Sequence, residues 1–231
     1  MRAIKEGAIF IADSHYPHHG EAIIELLTSL PPNTPQLFLM GDIFDILFAH
    51  APFLIEYNQK LIDLINALSD SIEIFYFEGN HDFNLQALFP KVTVYTLKQQ
   101  PQIFTLGVQS VGLAHGDRFA MSKGYRFYTR FIRNQTLMRY LPFKQKLINR
   151  QIDLLKKKKI CKKFEGFEKR VERILRCYRL HGYDDNFEVI EGHYHQGTFY
   201  QNYIALPSLV CQKEIAFVEN GAIVFKTKPT T

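Results

Sequence analysis

The chain has 231 residues, 46% hydrophobic and 22% charged, which excludes global disorder and allows one core carrying a sizeable insertion. Its net charge of +5 hides a segregation: residues 118 to 183 hold 20 of the 28 Lys and Arg but 4 of the 23 Asp and Glu, a net of +16 against −11 elsewhere. A segment so basic is expected to meet an anionic partner, a phospholipid surface or nucleic acid.

The apolar run after the first residues stops at Asp13, too short for a secretory core or a membrane span, so a cytoplasmic protein is expected. Cys161, Cys177 and Cys211 are scattered without CxxC spacing and are expected to be reduced and structural.

Several short apolar runs stop abruptly at a turn or a polar residue: Ala8 to Ala12 before Asp13, Leu37 to Met40 before Gly41-Asp42, and Ile72 to Phe77 before Gly79-Asn80. Val108 to Ala114 before His115-Gly116 and Glu188 to Glu191 before Gly192-His193 repeat the pattern. Runs of this length read as buried strands, and five of them would deliver polar groups to one edge. Between the first three lie helical patterns, Glu21 to Leu30 and Pro52 to Leu68, the second opened by its proline. Strand and helix alternate, which predicts an α/β sheet.

The basic segment reads as helical, with Tyr125, Tyr128, Phe131, Ile132, Leu137, Met138 and Leu141 spaced through its first part. Leu147, Ile148, Ile152 and Leu155 continue the pattern to the Lys156 to Lys159 run, and Phe164, Phe167, Val171, Ile174 and Leu175 resume it. It is expected to be an inserted helical cap, residues 118–183, between two parts of a core, 1–117 and 184–231. Near the end, Asn220-Gly221 between two apolar runs predicts a β-hairpin.

The polar residues after the strands carry the chemistry. Asp13 and His15 follow the first, Asp42 and Asp45 the second, Asn80 and His81 the third, His115 the fourth, and His193 and His195 the fifth. Taken singly, each is as well explained by capping or packing. As an ordered set of two carboxylates, one amide and four imidazoles, Asp13, His15, Asp42, Asn80, His115, His193 and His195 suit Mn²⁺, Fe²⁺ or Zn²⁺ better than Mg²⁺ or Ca²⁺. Two such cations would clamp a phosphoryl group. His81 is expected to protonate the leaving oxygen or stabilise developing charge, and Asp45 to orient a ligand. Arg126, Arg130 and Arg133 recur at helical spacing beside Tyr125 and Tyr128, and are expected to contact phosphate or a lipid headgroup.

D-x-H, G-D-x-x-D, G-N-H-D, H-G and G-H-x-H, in this order from Asp13 to His195, resemble the calcineurin-like metallophosphoesterases. The resemblance implies an αββα sandwich of mixed sheets and two divalent ions, with Mn²⁺ the first expectation. It also implies a ligand set for each ion: Asp13, His15, Asp42 and His195 for one, Asp42, Asn80, His115 and His193 for the other. Within that family the basic cap after His115-Gly116-Asp117 is most similar to the branch that hydrolyses UDP-2,3-diacylglucosamine to UMP and 2,3-diacylglucosamine 1-phosphate. That implies a lipid-linked nucleotide substrate and a cap resting on the anionic cytoplasmic face of the inner membrane. The branch usually carries Gly-Asn-Arg-Asp and a Trp soon after the G-D-x-F-D-like stretch, where this chain has His81 and Ile46-Leu47. A phosphoesterase acting on another phosphomonoester or phosphodiester, nucleic acid included, is the alternative. A non-catalytic interaction module is the remote one, because such a module would be expected to lose ligands.

Overall fold

The fold is that of a computed structural model, which describes residues 1–119, 123–134, 148, 150, 152–154, 160–161, 164–184 and 186–227. The expectations for Leu137, Met138, Leu141, Leu147, Leu155 and Lys156 to Lys159 lie outside the described residues.

Among the described residues, twelve strands form two six-stranded sheets. One runs β12 (Ala222–Thr227), β11 (Glu214–Glu219), β2 (Ile9–Ile11), β3 (Gln36–Leu39), β4 (Glu73–Phe77), β5 (Thr93–Tyr95). Its strands β2 to β5 are parallel, and β11 and β12 add an antiparallel edge. The other runs β1 (Arg2–Ile4), β6 (Gln102–Leu106), β7 (Gln109–Ala114), β8 (Glu188–Glu191), β10 (Tyr203–Ala205), β9 (Thr198–Tyr200). In it β7, β8 and β10 are mutually parallel.

The period of two along each strand sorts the core into layers. Phe10, Phe38 and Phe75 point from the first sheet toward the second and stack across neighbouring strands, with ring centroids 4.4 and 4.9 Å apart. They meet Phe104, Val111, Leu113 and Ile190 of the opposing sheet. The alternate residues Ile9, Ile11, Leu37, Leu39, Ile74 and Tyr76 face the other way, onto α1 (Ala22–Thr28), α2 (Pro52–Tyr57) and α3 (Gln59–Leu68). On the far side, Val189, Tyr203 and Ala205 are covered by Phe167, Val171, Ile174, Leu175 and Tyr178 of α5 (Phe167–Leu180). The layers are helix, sheet, sheet, helix, as the resemblance implied.

The single helix expected over Pro52 to Leu68 is two, broken at Asn58, whose side-chain amide donates to the carbonyls of Leu54 and Ile46. An asparagine that bonds nearby backbone competes with the helical ladder at that point. Val108 is not strand but turn, fully exposed after Gly107 at φ +59°. The cysteines also differ from expectation. Cys161 and Cys211 form a disulfide with Cα atoms 5.2 Å apart, and Cys177 alone is free. Closing a loop of sequence separation 50 removes unfolded-state entropy of about 4 kcal/mol in the chain-entropy view.

Between β7 and β8 the described residues include α4 (Lys123–Ile132) and α5. The second is also the outer layer of its sheet. Ile132, Ile148 and Ile152 pack against the helical side of the opposite sheet, so residues of the inserted stretch touch both outer faces. No helix among the described residues is long and apolar enough to cross a membrane.

Glu191 pins α5 to the sheet, its carboxylate accepting from the hydroxyls of Tyr178 (2.6 Å) and Tyr203 (2.7 Å). Burial pushes its pKa up to about 7, against the pull of those two hydroxyls. The folded chain therefore holds this proton where the unfolded chain releases it, so stability falls as pH rises from about 4.5 to about 7. In Glu191→Gln, urea unfolding of the chelator-treated protein at pH 4.5 and 8 should show a pH-dependent loss smaller than in the unaltered chain by more than about 1 kcal/mol. An equal loss in both proteins would refute this account of Glu191.

Candidate metal centre

The ends of β2, β3, β4, β7 and β8 converge, and each is followed by polar side chains turned into one place. The backbone there is unusual. Asp13, His15, Asp42, His193 and His195 all have positive φ, between 46° and 66°. Non-glycine residues avoid that region unless their surroundings enforce it, and such strain concentrates at functional sites. Left-handed residues directly after a strand reverse the chain sharply and aim side chains past the sheet edge.

Two clusters result. Asp13, His15 and His195 form one, with His195 Nε2 3.3 Å from Asp13 Oδ1 and 3.5 Å from His15 Nε2. Asp42, His115 and His193 form the other, with His115 Nε2 3.6 Å from Asp42 Oδ2, 3.2 Å from His193 Nδ1 and 3.4 Å from Asn80 Oδ1. The peptide N–H of His193 donates to Asp13 Oδ2 across the gap, and that of His81 to Asp42 Oδ1. All seven residues singled out in the sequence therefore lie together.

The charges are those of a site that wants a cation. Burial alone would raise the carboxyls of Asp13 and Asp42, yet the surrounding imidazoles hold both below the usual range: chiefly His195 for Asp13, and His115, His81 and His15 for Asp42. Burial, reinforced by other imidazoles, depresses His15 and His193 to about 3, so both are neutral with lone pairs available. His115 goes the other way, to about 9, because Asp42, Asp117 and Asp13 outweigh its burial. Its Nδ1 lies 2.9 Å from the Met40 carbonyl and must donate there, which aims Nε2 into the cluster. A proton on that Nε2 fills the gap toward His193 Nδ1, where a bound cation would take its place. The donors fit divalent metals in number, type and burial.

His81 stands at the rim, its Nδ1–H donating to the Asp45 carbonyl at 2.7 Å and its Nε2 3.9 Å from Asp42 Oδ2. The Asp45 carboxylate accepts from the His18 peptide N–H at 2.9 Å and lies 3.8 Å from His15 Nδ1. Arg133 is turned inward: its Nη2 donates to the Gly79 carbonyl at 2.6 Å, its Nη1 pairs with Glu78 at 3.3 Å, and its guanidinium covers the Phe83 ring. Arg130 is exposed, and the side chains of Tyr125, Arg126 and Tyr128 lie outside the described residues.

Several supporting residues escaped sequence reading. Asp82 is fully buried and accepts from the peptide N–H groups of Asp42, Ile43, Phe44 and Gly79 and from the Tyr76 hydroxyl. It ties the turn after β3 to the turn after β4. Gly79 must be glycine because a Cβ there would sit 2.3 Å from Asp42 Oδ1. Gln100 accepts from the His115 peptide N–H at 2.7 Å, Ser208 donates its hydroxyl to the Asp13 carbonyl at 2.8 Å, and Gln212 donates to the His195 carbonyl at 2.6 Å. The last Asp of G-N-H-D was the one available signal; Gln100, Ser208 and Gln212 carry none.

Asp82→Asn keeps the shape but turns an amide N–H₂ toward peptide donors. It should lower stability by at least about 3 kcal/mol in urea unfolding, because several buried N–H groups lose a charged acceptor together. A cost below about 1 kcal/mol would contradict the anchoring role.

Comparison with known proteins agrees with this geometry. A family model for calcineurin-like phosphoesterases matches residues 8–197. Among curated proteins, a UDP-2,3-diacylglucosamine hydrolase of Pseudomonas putida is 30% identical over 60% of this chain and 62% of its own length. That of Haemophilus influenzae is 29% identical over 60% and 62%, and that of Pseudomonas entomophila 26% identical over 84% and 83%. The chain thus spans about three fifths of the length of the first curated relatives it matches. Among solved structures, YfcE, a phosphoesterase from E. coli, is 13% identical with a TM-score of 0.44, covering 96% of this chain and 98% of that one. With the family match spanning most of the sequence, both clusters inside it and divalent metals implied by the two together, the chain belongs to the calcineurin-like phosphoesterase family.

Proposed function

We propose that this chain is a dinuclear metal-dependent phosphoester hydrolase whose substrate is a lipid-linked nucleotide, UDP-2,3-diacylglucosamine, cleaved at its pyrophosphate to UMP and 2,3-diacylglucosamine 1-phosphate. The observation that carries the hydrolase reading is the pair of clusters around Asp42 at the ends of five strands. One ion is assigned to Asp13, His15, Asp42 and His195, the other to Asp42, Asn80, His115 and His193, with Mn²⁺ preferred and Fe²⁺ or Zn²⁺ accepted by the same donors. Such a pair of ions, when bound, neutralises phosphoryl oxygens, activates water and stabilises in-line displacement.

The chain's own residues supply the rest. His81 is held by its Nδ1–H on the Asp45 carbonyl, which leaves Nε2 at the rim, from which the imidazolium form would deliver its second proton to the leaving oxygen. Asp45 orients His15 and the His18 backbone. Asp82 and Gly79 keep Asp42 and Asn80 in register. Residues 118–183 are assigned as a cap, and the exposed Phe127, Phe131 and Leu154 among its bases suit an anionic bilayer surface and acyl chains. That supports a peripheral place on the cytoplasmic face of the inner membrane. Arg130 and Arg126 are the candidates there for phosphate contact, with Tyr125 and Tyr128. The Arg133 donors at Gly79 and Glu78 make it a brace for the Asn80 turn.

His81 in place of the branch's arginine favours one second reading, a metallophosphoesterase for a different phosphodiester or phosphomonoester, nucleotides and nucleic acid included. UMP release from UDP-2,3-diacylglucosamine in detergent with Mn²⁺ separates the two. Activity on the lipid that falls by at least about a hundredfold in Asp42→Ala is the expected outcome. Hydrolysis of a generic chromogenic diester alone would retain the hydrolase and remove the lipid substrate.

A further inference from the structure

The Cys161–Cys211 bridge joins the inserted basic segment to the loop that backs the metal cluster. That loop, residues 206 to 213, does more than connect β10 to β11. Ser208 donates its hydroxyl to the Asp13 carbonyl and accepts from the Cys211 peptide N–H. The Gln212 side chain accepts from the Ser208 peptide N–H and donates to the His195 carbonyl, closing the loop on itself. The sulfur of Cys211 lies 3.5 Å from His195 Nδ1. His195 Nε2 lies 3.3 Å from Asp13 Oδ1 and its N–H donates to that carboxylate, which leaves Nδ1 facing the sulfur. The bridge therefore touches His195 directly and reaches Asp13 through Ser208, and its other end sits on a segment of net charge +16.

Access is asymmetric. Cys161 is exposed, whereas Cys211 is partly covered. An attacking thiolate reaches Cys161 Sγ first, and exposed disulfides are the labile ones.

We propose that Cys161–Cys211 is a reversible redox-modification site, a covalent clasp that ties the chain at Cys161 to the His195 loop when oxidised and releases that tie when reduced. The reductant is a dithiol. One of its thiolates attacks Cys161 Sγ, the S–S bond breaks, and the electron pair leaves on Cys211 Sγ, which takes up a proton. The second thiol then resolves the mixed disulfide, so the dithiol ends as a disulfide and its two electrons and two protons end on the two cysteines. In a reducing compartment a disulfide that persists is typically of this responsive kind. The clasp stands on the bridge and its hydrogen bonds; its effect on cation affinity rests on the metal reading proposed above.

The test uses the full chain purified without reductant, and the same chain after dithiothreitol. Alkylation read by mass spectrometry should label Cys177 alone in the first and all three cysteines in the second. Trypsin should cleave within 118–183 at least about tenfold faster after reduction, and Cys161→Ser should cleave at that fast rate with or without dithiothreitol, whereas Cys177→Ser should match the unaltered chain. Mn²⁺ titrated by calorimetry should bind about tenfold more weakly to the reduced form, the size expected when the support behind a ligand is loosened. Circular dichroism of each sample separates loss of the clasp from loss of the fold. Labelling of Cys161 and Cys211 in the untreated chain, or equal cleavage rates in the two redox states, would overturn the proposal. Absence of Mn²⁺ binding in both states, with the labelling and cleavage differences intact, would remove the metal reading and leave the clasp.

Discussion

Two buried carboxylates, an amide oxygen and four imidazoles face one another across a few ångströms, and that crowd of electron pairs is the constraint on which the rest of the structure depends. Without positive charge among them the arrangement would carry an uncompensated desolvation cost. The metal-free chain meets part of that need by keeping a proton on His115 while His15 and His193 stay neutral. Divalent ions, which the family and the two clusters imply, would meet the rest of it.

Holding such a set together falls to groups that never enter it. Strands deliver the residues to one edge, but left-handed turns at five of them aim the side chains. Those turns persist because the backbone around them is over-determined. Asp82 collects peptide donors from two turns, Gln100 takes the His115 N–H, and Ser208 and Gln212 hold the carbonyls of Asp13 and His195. Much of the conformational cost is thereby carried by ordinary hydrogen bonds behind the site.

The inserted stretch is woven into the core rather than attached to it. Its α5 is a layer of the sandwich, pinned through Tyr178 to Glu191, two residues before His193. Its Arg133 reaches the carbonyl of Gly79, next to Asn80. Its Cys161 is bonded to the loop behind His195. Three separate elements of the basic segment thus bear on three turns of the cluster.

The amino-acid sequence by itself determined the α/β class, the strand ends and the seven clustered residues, since short apolar runs that stop at Asp, Asn or His are a local pattern. The near-continuous apolar runs of β2, β3 and β4 likewise predict both faces buried. What it did not determine is whatever depends on residues far apart in the chain. The short strands β1, β5 and β9 exist only because a neighbour offers a ladder, and the break at Asn58 because the Ile46 carbonyl lies within its reach. The Cys161–Cys211 pairing runs against the expected reduced thiols, because spacing along a chain says nothing about two sulfurs brought together by a fold. Gln100, Ser208 and Gln212 were silent for the same reason, and Asp82 showed only as the last residue of a motif: an acceptor or donor acquires its role from the backbone groups that tertiary packing places in front of it, and only the folded chain decides which those are.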